Sequence, residues 1–113
     1  MDAAQLIAKL AEVSPPLQPL DLGFFQTLQG PNNPSYSEFA NTATMLSDAV
    51  RILTAVPPEK IDAVLAADRD LTMELQEELN KTFKNDPLGQ FRSAQFVVGL
   101  VNTLMNRAGI RNR

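Results

Sequence analysis

The sequence contains no cysteine and no histidine among its 113 residues. Without cysteine, the chain forms no disulfide and has no thiolate for catalysis or metal binding. Without histidine, it lacks the side chain that most often acts as a general base or metal ligand near neutral pH. Phosphate-binding loops of the GxxxxGK[ST] or GxGxxG type are also absent. These absences disfavour an enzyme, and the sequence predicts no catalytic residue, no cofactor and no bound metal.

Long uncharged apolar runs are absent as well. Between Arg92 and Arg107 lie 14 residues, whereas a spanning helix needs about 20. The N-terminal sequence MDAAQLIAKLAEV begins with an acid and is amphipathic, so it lacks the basic start and apolar core of a secretory signal. We therefore expect no membrane span and no signal peptide, and the compartment stays open.

The charge is acidic overall and unevenly distributed. The formal net charge is -3, which argues against a general nucleic-acid binder. Residues 1–78 carry -8, whereas residues 79–113 carry +5. The arginines near the end, Arg107, Arg111 and Arg113, have no interleaved aromatic residues. We interpret them as a solvated tail or a protein contact, and the opposed charges favour contact between unlike ends of neighbouring chains.

Proline residues divide an otherwise helix-forming chain. Hydrophobic residues make up 44% and charged residues 20%, a globular composition that fits one domain over 1–113. Helical apolar spacing is interrupted near Pro15, Pro57 and Pro87. The sequence therefore predicts an all-α fold with four main helices, at about 2–13, 36–56, 58–84 and 87–108.

The segment 14–35 differs from the rest of the chain, because it holds five of the eight prolines. We interpret it as an extended wrapping arm with a short helix at 21–28. Phe24 and Phe25 would be costly to leave in water. The arm is therefore expected to wrap a surface, such as that of a neighbouring copy.

The helix at 36–56 carries a narrow apolar seam. Its members are spaced alternately by three and four residues, as in a coiled coil: Tyr36, Phe39, Ala43, Leu46, Val50 and Leu53. The seam predicts packing on one partner helix. In the helix at 58–84, Asp68-Arg69-Asp70 crosses the apolar stripe and is interpreted as a bend or an exposed turn.

The last helix is apolar on most of its circumference, through Phe96, Val97, Val98, Leu100, Val101, Leu104 and Met105. Such a helix is expected to be buried on all sides. It is either the central helix of its own chain or buried among neighbouring copies, with Leu100 and Leu104 almost unexposed. Gly99 would allow close approach of another backbone. The competing interpretation is a strand over QFVVGLVN, since valine favours strands.

The densest group of carboxylates comprises Asp68, Asp70, Glu74, Glu77 and Glu78. Paired carboxylates can bind a divalent cation or divide acid and base roles. No histidine and no glycine-bearing calcium loop fixes such a site. We therefore interpret the group as a solvated face.

The order of a helix, an Asn-Asp-Pro break at 85–87 and an apolar C-terminal helix resembles the small helical subunits of type III secretion needles and rods. The resemblance covers about the last 40 residues, and the proline-rich arm departs from that pattern. Small helical phage structural proteins fit the same order of elements.

The sequence thus favours a non-enzymatic structural subunit of a larger protein assembly, of secretion-apparatus or phage-virion type. Its expected partners are copies of itself or other subunits. The alternative is a helical adaptor or chaperone that docks a client along the 36–56 seam. A carboxylate-based metal enzyme is the third hypothesis. The predicted interface residues are Phe24, Phe25, Tyr36, Phe39, Leu46, Leu53, Phe96, Leu100 and Leu104.

Overall fold

The computed structural model describes residues 1–13, 36–83 and 86–110. Within these ranges the chain is entirely α-helical apart from short connections, which confirms the predicted all-α fold, and 95–102 is helix, not strand. The helices are α1 (Ala3–Val13), α2 (Tyr36–Ala55), α3 (Pro58–Ala67), α4 (Arg69–Leu79) and α5 (Pro87–Arg107). The predicted arm at 14–35, with its short helix, lies outside the described residues.

Side chains fix the beginnings of α1 and α5. Asp2 and Gln5 cap α1 reciprocally: Asp2 Oδ1 accepts from the Gln5 N–H at 2.9 Å, and Gln5 Oε1 accepts from the Asp2 N–H at 3.1 Å. Asp86 caps α5 by accepting from the Gly89 N–H at 3.0 Å, and Pro87 occupies the first turn, where no donor is lost. The break predicted at Pro87 is thereby confirmed.

The end of α5 is a Schellman motif built on Gly109. This residue has φ +72°, a conformation that glycine adopts without steric cost. Its N–H donates to Asn106 O at 3.2 Å, and the Ile110 N–H donates to Met105 O at 2.9 Å. These bonds satisfy carbonyls that the helix end would leave unpaired, so α5 ends within one residue of the predicted position.

The predicted helix over 58–84 is two helices in the structure, divided at Asp68, where a bend or turn was anticipated. Asp68 has φ -108° and ψ 87°, outside the helical region. Its backbone N–H donates to Val64 O, and its side chain accepts from the Leu71 N–H at 3.1 Å. Aspartate interrupts helices because its short carboxylate binds nearby backbone donors. The second helix, α4, then ends at Leu79, before the predicted boundary.

The core is formed by one cluster of side chains from all five helices. Helices α1 and α5 each pack against α3, and both also pack against α2 and α4. The least exposed large members are Phe39, Leu6, Leu10, Leu46, Leu53, Ile61, Leu75, Leu104, Val97 and Val101. Phe39 of α2 stacks on Phe91 of α5, with ring centroids 4.2 Å apart.

Polar contacts between helices tie the bundle at its edges. Asp62 Oδ1 of α3 accepts from the Ala3 N–H at 2.8 Å, at the start of α1. Lys9 Nζ donates to Asn80 Oδ1 at 2.6 Å. Arg107 Nε lies 3.0 Å from Asp68 Oδ2, which joins the end of α5 to the break between α3 and α4.

We expect Asp68→Ala to lower the free energy of unfolding by about 1 to 2 kcal/mol, because it removes both the cap of α4 and the ion pair with Arg107. Asp68→Asn keeps a capping oxygen and loses only the ion pair. Its expected cost is below about 1 kcal/mol, since the Arg107 side chain is 59% exposed. Urea denaturation measures both values, and equal costs would contradict the capping role.

Candidate protein interface

Most of the described interface candidates lie inside the chain's own core. Phe39, Leu46 and Leu53 of α2 are buried. Leu100 and Leu104 of α5 are 9% and 0% exposed, which confirms their predicted burial. Their role in an interface stays a prediction. Of the remaining candidates, Tyr36 begins α2, Phe24 and Phe25 lie outside the described residues, and Phe96 lies on the surface.

The apolar seam of α2 faces the core. Besides Phe39, Leu46 and Leu53, the seam residue Ala43 is buried, and Val50 packs against the core cluster. Helix α2 packs against both α1 and α5, so the seam meets two helices and not the single partner predicted. The seam is therefore not an exposed docking surface in this fold.

The expectation that α5 is buried on all sides is wrong within this chain. Phe96 is 51% exposed. Gly99, one turn later, is exposed, and a methyl group added there would meet no atom within 4 Å. Arg92, one turn before Phe96, is exposed and forms no ion pair with any residue that the structure describes. Arg92, Phe96 and Gly99 define the α5 outer face.

A groove runs between α2 and α5. It consists of two adjoining depressions that share Met45 of α2 and Val98 of α5. Phe39 stacks on Phe91 beside one end of the groove, and Ala49 lines the other end together with Met105. Residue numbers therefore rise in the same direction on both walls, and the two helices run parallel. We call this surface the α2–α5 groove.

The floor of the α2–α5 groove is apolar except for Thr42, and its edges are polar. The floor residues are buried or nearly so: Thr42, Ala49, Val101 and Met105. Met45 also lines both depressions and is 54% exposed. The edges carry Glu38, Asn41, Asp48, Gln95 and Asn102. No basic side chain lines the described groove, although Arg51 lies 3.6 Å from Asp48.

The apolar pattern of the sequence does not indicate Met45, because this residue falls outside the α2 seam. It precedes the seam residue Leu46 and lies about 100° away from it around the helix. A large apolar residue beside a narrow seam was the available signal. Val98 was identified only as one of many apolar residues on α5.

The five carboxylates from Asp68 to Glu78 divide into residues held by other groups and residues exposed to solvent. Asp68 is engaged as a cap and with Arg107. Among the described residues, no group of three or more carboxylates is arranged to hold a metal ion. Asp70, Glu74 and Glu77 are exposed, as expected of a solvated face.

Glu78 of α4 is held by Lys81, just after the end of its own helix, and by Ser93 of α5. Its carboxylate accepts from Lys81 Nζ at 2.7 Å and from Ser93 Oγ of α5 at 2.8 Å. The hydrogen bond from Lys81 lowers the pKa of Glu78, and the hydrogen bond from Ser93 lowers it further. Partial burial of the carboxylate has the opposite effect, which is smaller than that of the Lys81 hydrogen bond. Because the pKa of Glu78 is lower in the folded than in the unfolded chain, its ionised form stabilises the fold at pH values above the ordinary pKa of glutamate. This contribution is lost as the pH falls through the pKa of the folded state.

The described residues define an all-α protein with an exposed apolar groove between two parallel helices. Across these residues, none of the helices has the length and apolar character needed to cross a membrane. Comparison with protein-family models, with curated proteins and with solved structures finds no match.

Proposed function

We propose that this protein is a non-enzymatic structural subunit that associates with copies of itself in a larger protein assembly. The observation that carries the proposal is the α2–α5 groove, where Met45 stays half exposed above an apolar floor. Exposed apolar grooves with polar edges are typical of surfaces that receive a helix of a partner. The expected assembly is of secretion-apparatus or phage-virion type, because the order of helical elements in about the last 40 residues resembles that of such subunits.

Burial of the groove supplies the driving force for association. Full burial of a methionine side chain contributes about 1.5 to 3 kcal/mol, so covering the exposed half of Met45 contributes about 0.8 to 1.5 kcal/mol before ordering costs. The polar edges fix the orientation of the partner more than they raise affinity. The opposed charges of residues 1–78 and 79–113 act in the same way and are screened beyond about 8 Å at physiological salt.

Met45→Glu is expected to reduce self-association, because a carboxylate in the apolar groove would lose hydration on contact. Sedimentation velocity at low and high micromolar concentration measures the effect, against a monomer mass of 12.4 kDa. Met73→Glu is the matched control. Met73 is 57% exposed on α4, which lines no part of the described groove. The wild type and the control should associate alike, whereas Met45→Glu should remain smaller.

Equal association of the two variants would contradict a role for the groove. A wild-type chain that stays monomeric at every concentration would contradict self-assembly and favour the alternative, an adaptor that docks a client helix. Because the α2 seam is buried, such a client would occupy the groove beside Met45 and not the seam itself.

A further inference from the structure

We propose that the α5 outer face of one copy docks into the α2–α5 groove of the next, so that copies join head to tail. This inference rests on the proposed self-association and names both of its surfaces. The inserted side chain is Phe96, and the receiving residues are Met45 and Val98. The occupant of the groove is thus a second copy of this chain.

The positions of the two surfaces on α5 exclude a contact within one chain. Val98 lines the groove, and Phe96 precedes it by two residues. At about 100° per residue, their side chains lie about 160° apart around the helix. Phe96 therefore points away from the groove of its own chain. A contact in which Phe96 of one copy enters the groove of the next joins two unlike surfaces, and such a contact extends from copy to copy.

Charge matches between the two surfaces. The edges of the groove carry the carboxylates of Glu38 and Asp48, of which Asp48 also lies 3.6 Å from Arg51. The α5 outer face carries the exposed guanidinium of Arg92, on the same side of the helix as Phe96. A basic side chain next to the inserted ring would face an acidic edge, which favours this orientation over contact between two grooves.

The exposed glycine at position 99 is the second observation that favours contact with another copy. Glycine inside a helix is unfavourable relative to alanine, and no neighbour within 4 Å of the added methyl position requires the space. Gly99 lies one turn from Phe96 on the same side of α5. The space therefore serves the approach of the partner's groove, where a larger side chain would hold the two surfaces apart.

The test uses two full-length variants, Phe96→Glu and Met45→Glu. Each keeps one surface intact: Phe96→Glu retains its groove, and Met45→Glu retains its outer face. Alone, each should associate at least about tenfold more weakly than the wild type, as expected for a central aromatic or apolar anchor. Mixed in equal amounts, they should form a species of two chains and nothing longer, because the two remaining surfaces both carry the introduced glutamate. Sedimentation velocity and light scattering give the masses.

Normal assembly of Phe96→Glu, or failure of the mixture to combine, would overturn the head-to-tail contact while leaving self-association by another surface in place. A monomeric wild type would overturn the proposed function itself.

A third variant, Gly99→Leu, distinguishes loss of the contact from a folding defect. At a low protein concentration, where both chains are monomeric, its melting temperature should match or exceed that of the wild type, because the site is open. Its association at high concentration should be lost. Unchanged association would show that the partner does not approach at Gly99.

Discussion

Phe39→Ala is expected to lower the free energy of unfolding by about 3 to 5 kcal/mol. The Phe39 side chain is 1% exposed, and its ring stacks on that of Phe91 at a centroid separation of 4.2 Å. Alanine would remove this contact and leave a cavity where the first turns of α2 and α5 meet, since packed neighbours relax only in part. For a domain with a total stability of about 5 to 15 kcal/mol, this loss is large.

The matched control is Phe96→Ala, the same substitution on a side chain that is 51% exposed. Its expected cost is below about 1 kcal/mol, because little apolar area leaves the protein interior. Urea denaturation at low protein concentration measures both variants as monomers. Equal losses would contradict the core position of Phe39.

Leu104→Ala is expected to cost about 2 to 5 kcal/mol. Leu104 is completely buried in the C-terminal half of α5, so its truncation opens a cavity between this helix and the rest of the core. At roughly 4 °C per kcal/mol for a domain of this size, the melting temperature should fall by about 8 to 20 °C.

Leu104→Met nearly conserves volume, and its expected cost is below about 1.5 kcal/mol. Circular dichroism during heating separates the two variants. A melting temperature unaffected by Leu104→Ala would contradict the burial of this residue.

The helix ends that the sequence predicted are those with a strong local signal. Pro57 and Pro58 separate α2 from α3, Asp86 with Pro87 begins α5, and Gly109 ends it. Each residue restricts or caps its own backbone, so its effect needs no knowledge of the tertiary fold.

The separation of α3 from α4 was only partly predictable. Aspartate occurs both inside helices and at their ends, and the apolar stripe continues on both sides of Asp68, from Leu65 to Leu71. Local and tertiary contacts both act at the break: Thr72 Oγ1 donates to Leu65 O and Asp68 O, and Arg107 of α5 pairs with Asp68. A contact with a residue from another helix cannot be read from the local sequence.

The candidate interface could be predicted from the sequence even less well than the break at Asp68. Phe96 and Val98 are both apolar residues of a helix that is apolar on most sides, and the packing of α5 against α2, α3 and α4 determines which side stays open. Periodicity describes one helix at a time. It predicted that Leu100 and Leu104 are buried, in a core or an interface, but it could not place Met45 beside Val98.

The two walls of the α2–α5 groove come from opposite halves of the sequence, which sets an order of events during synthesis. A growing chain that has produced α2 has no groove until α5 has also been made and folded against it. Folding therefore precedes docking, and a nascent chain offers no complete site at which a finished copy could be captured early. Once docked, a partner that binds only the assembled groove stabilises the whole fold by mass action, because the site disappears when either wall detaches.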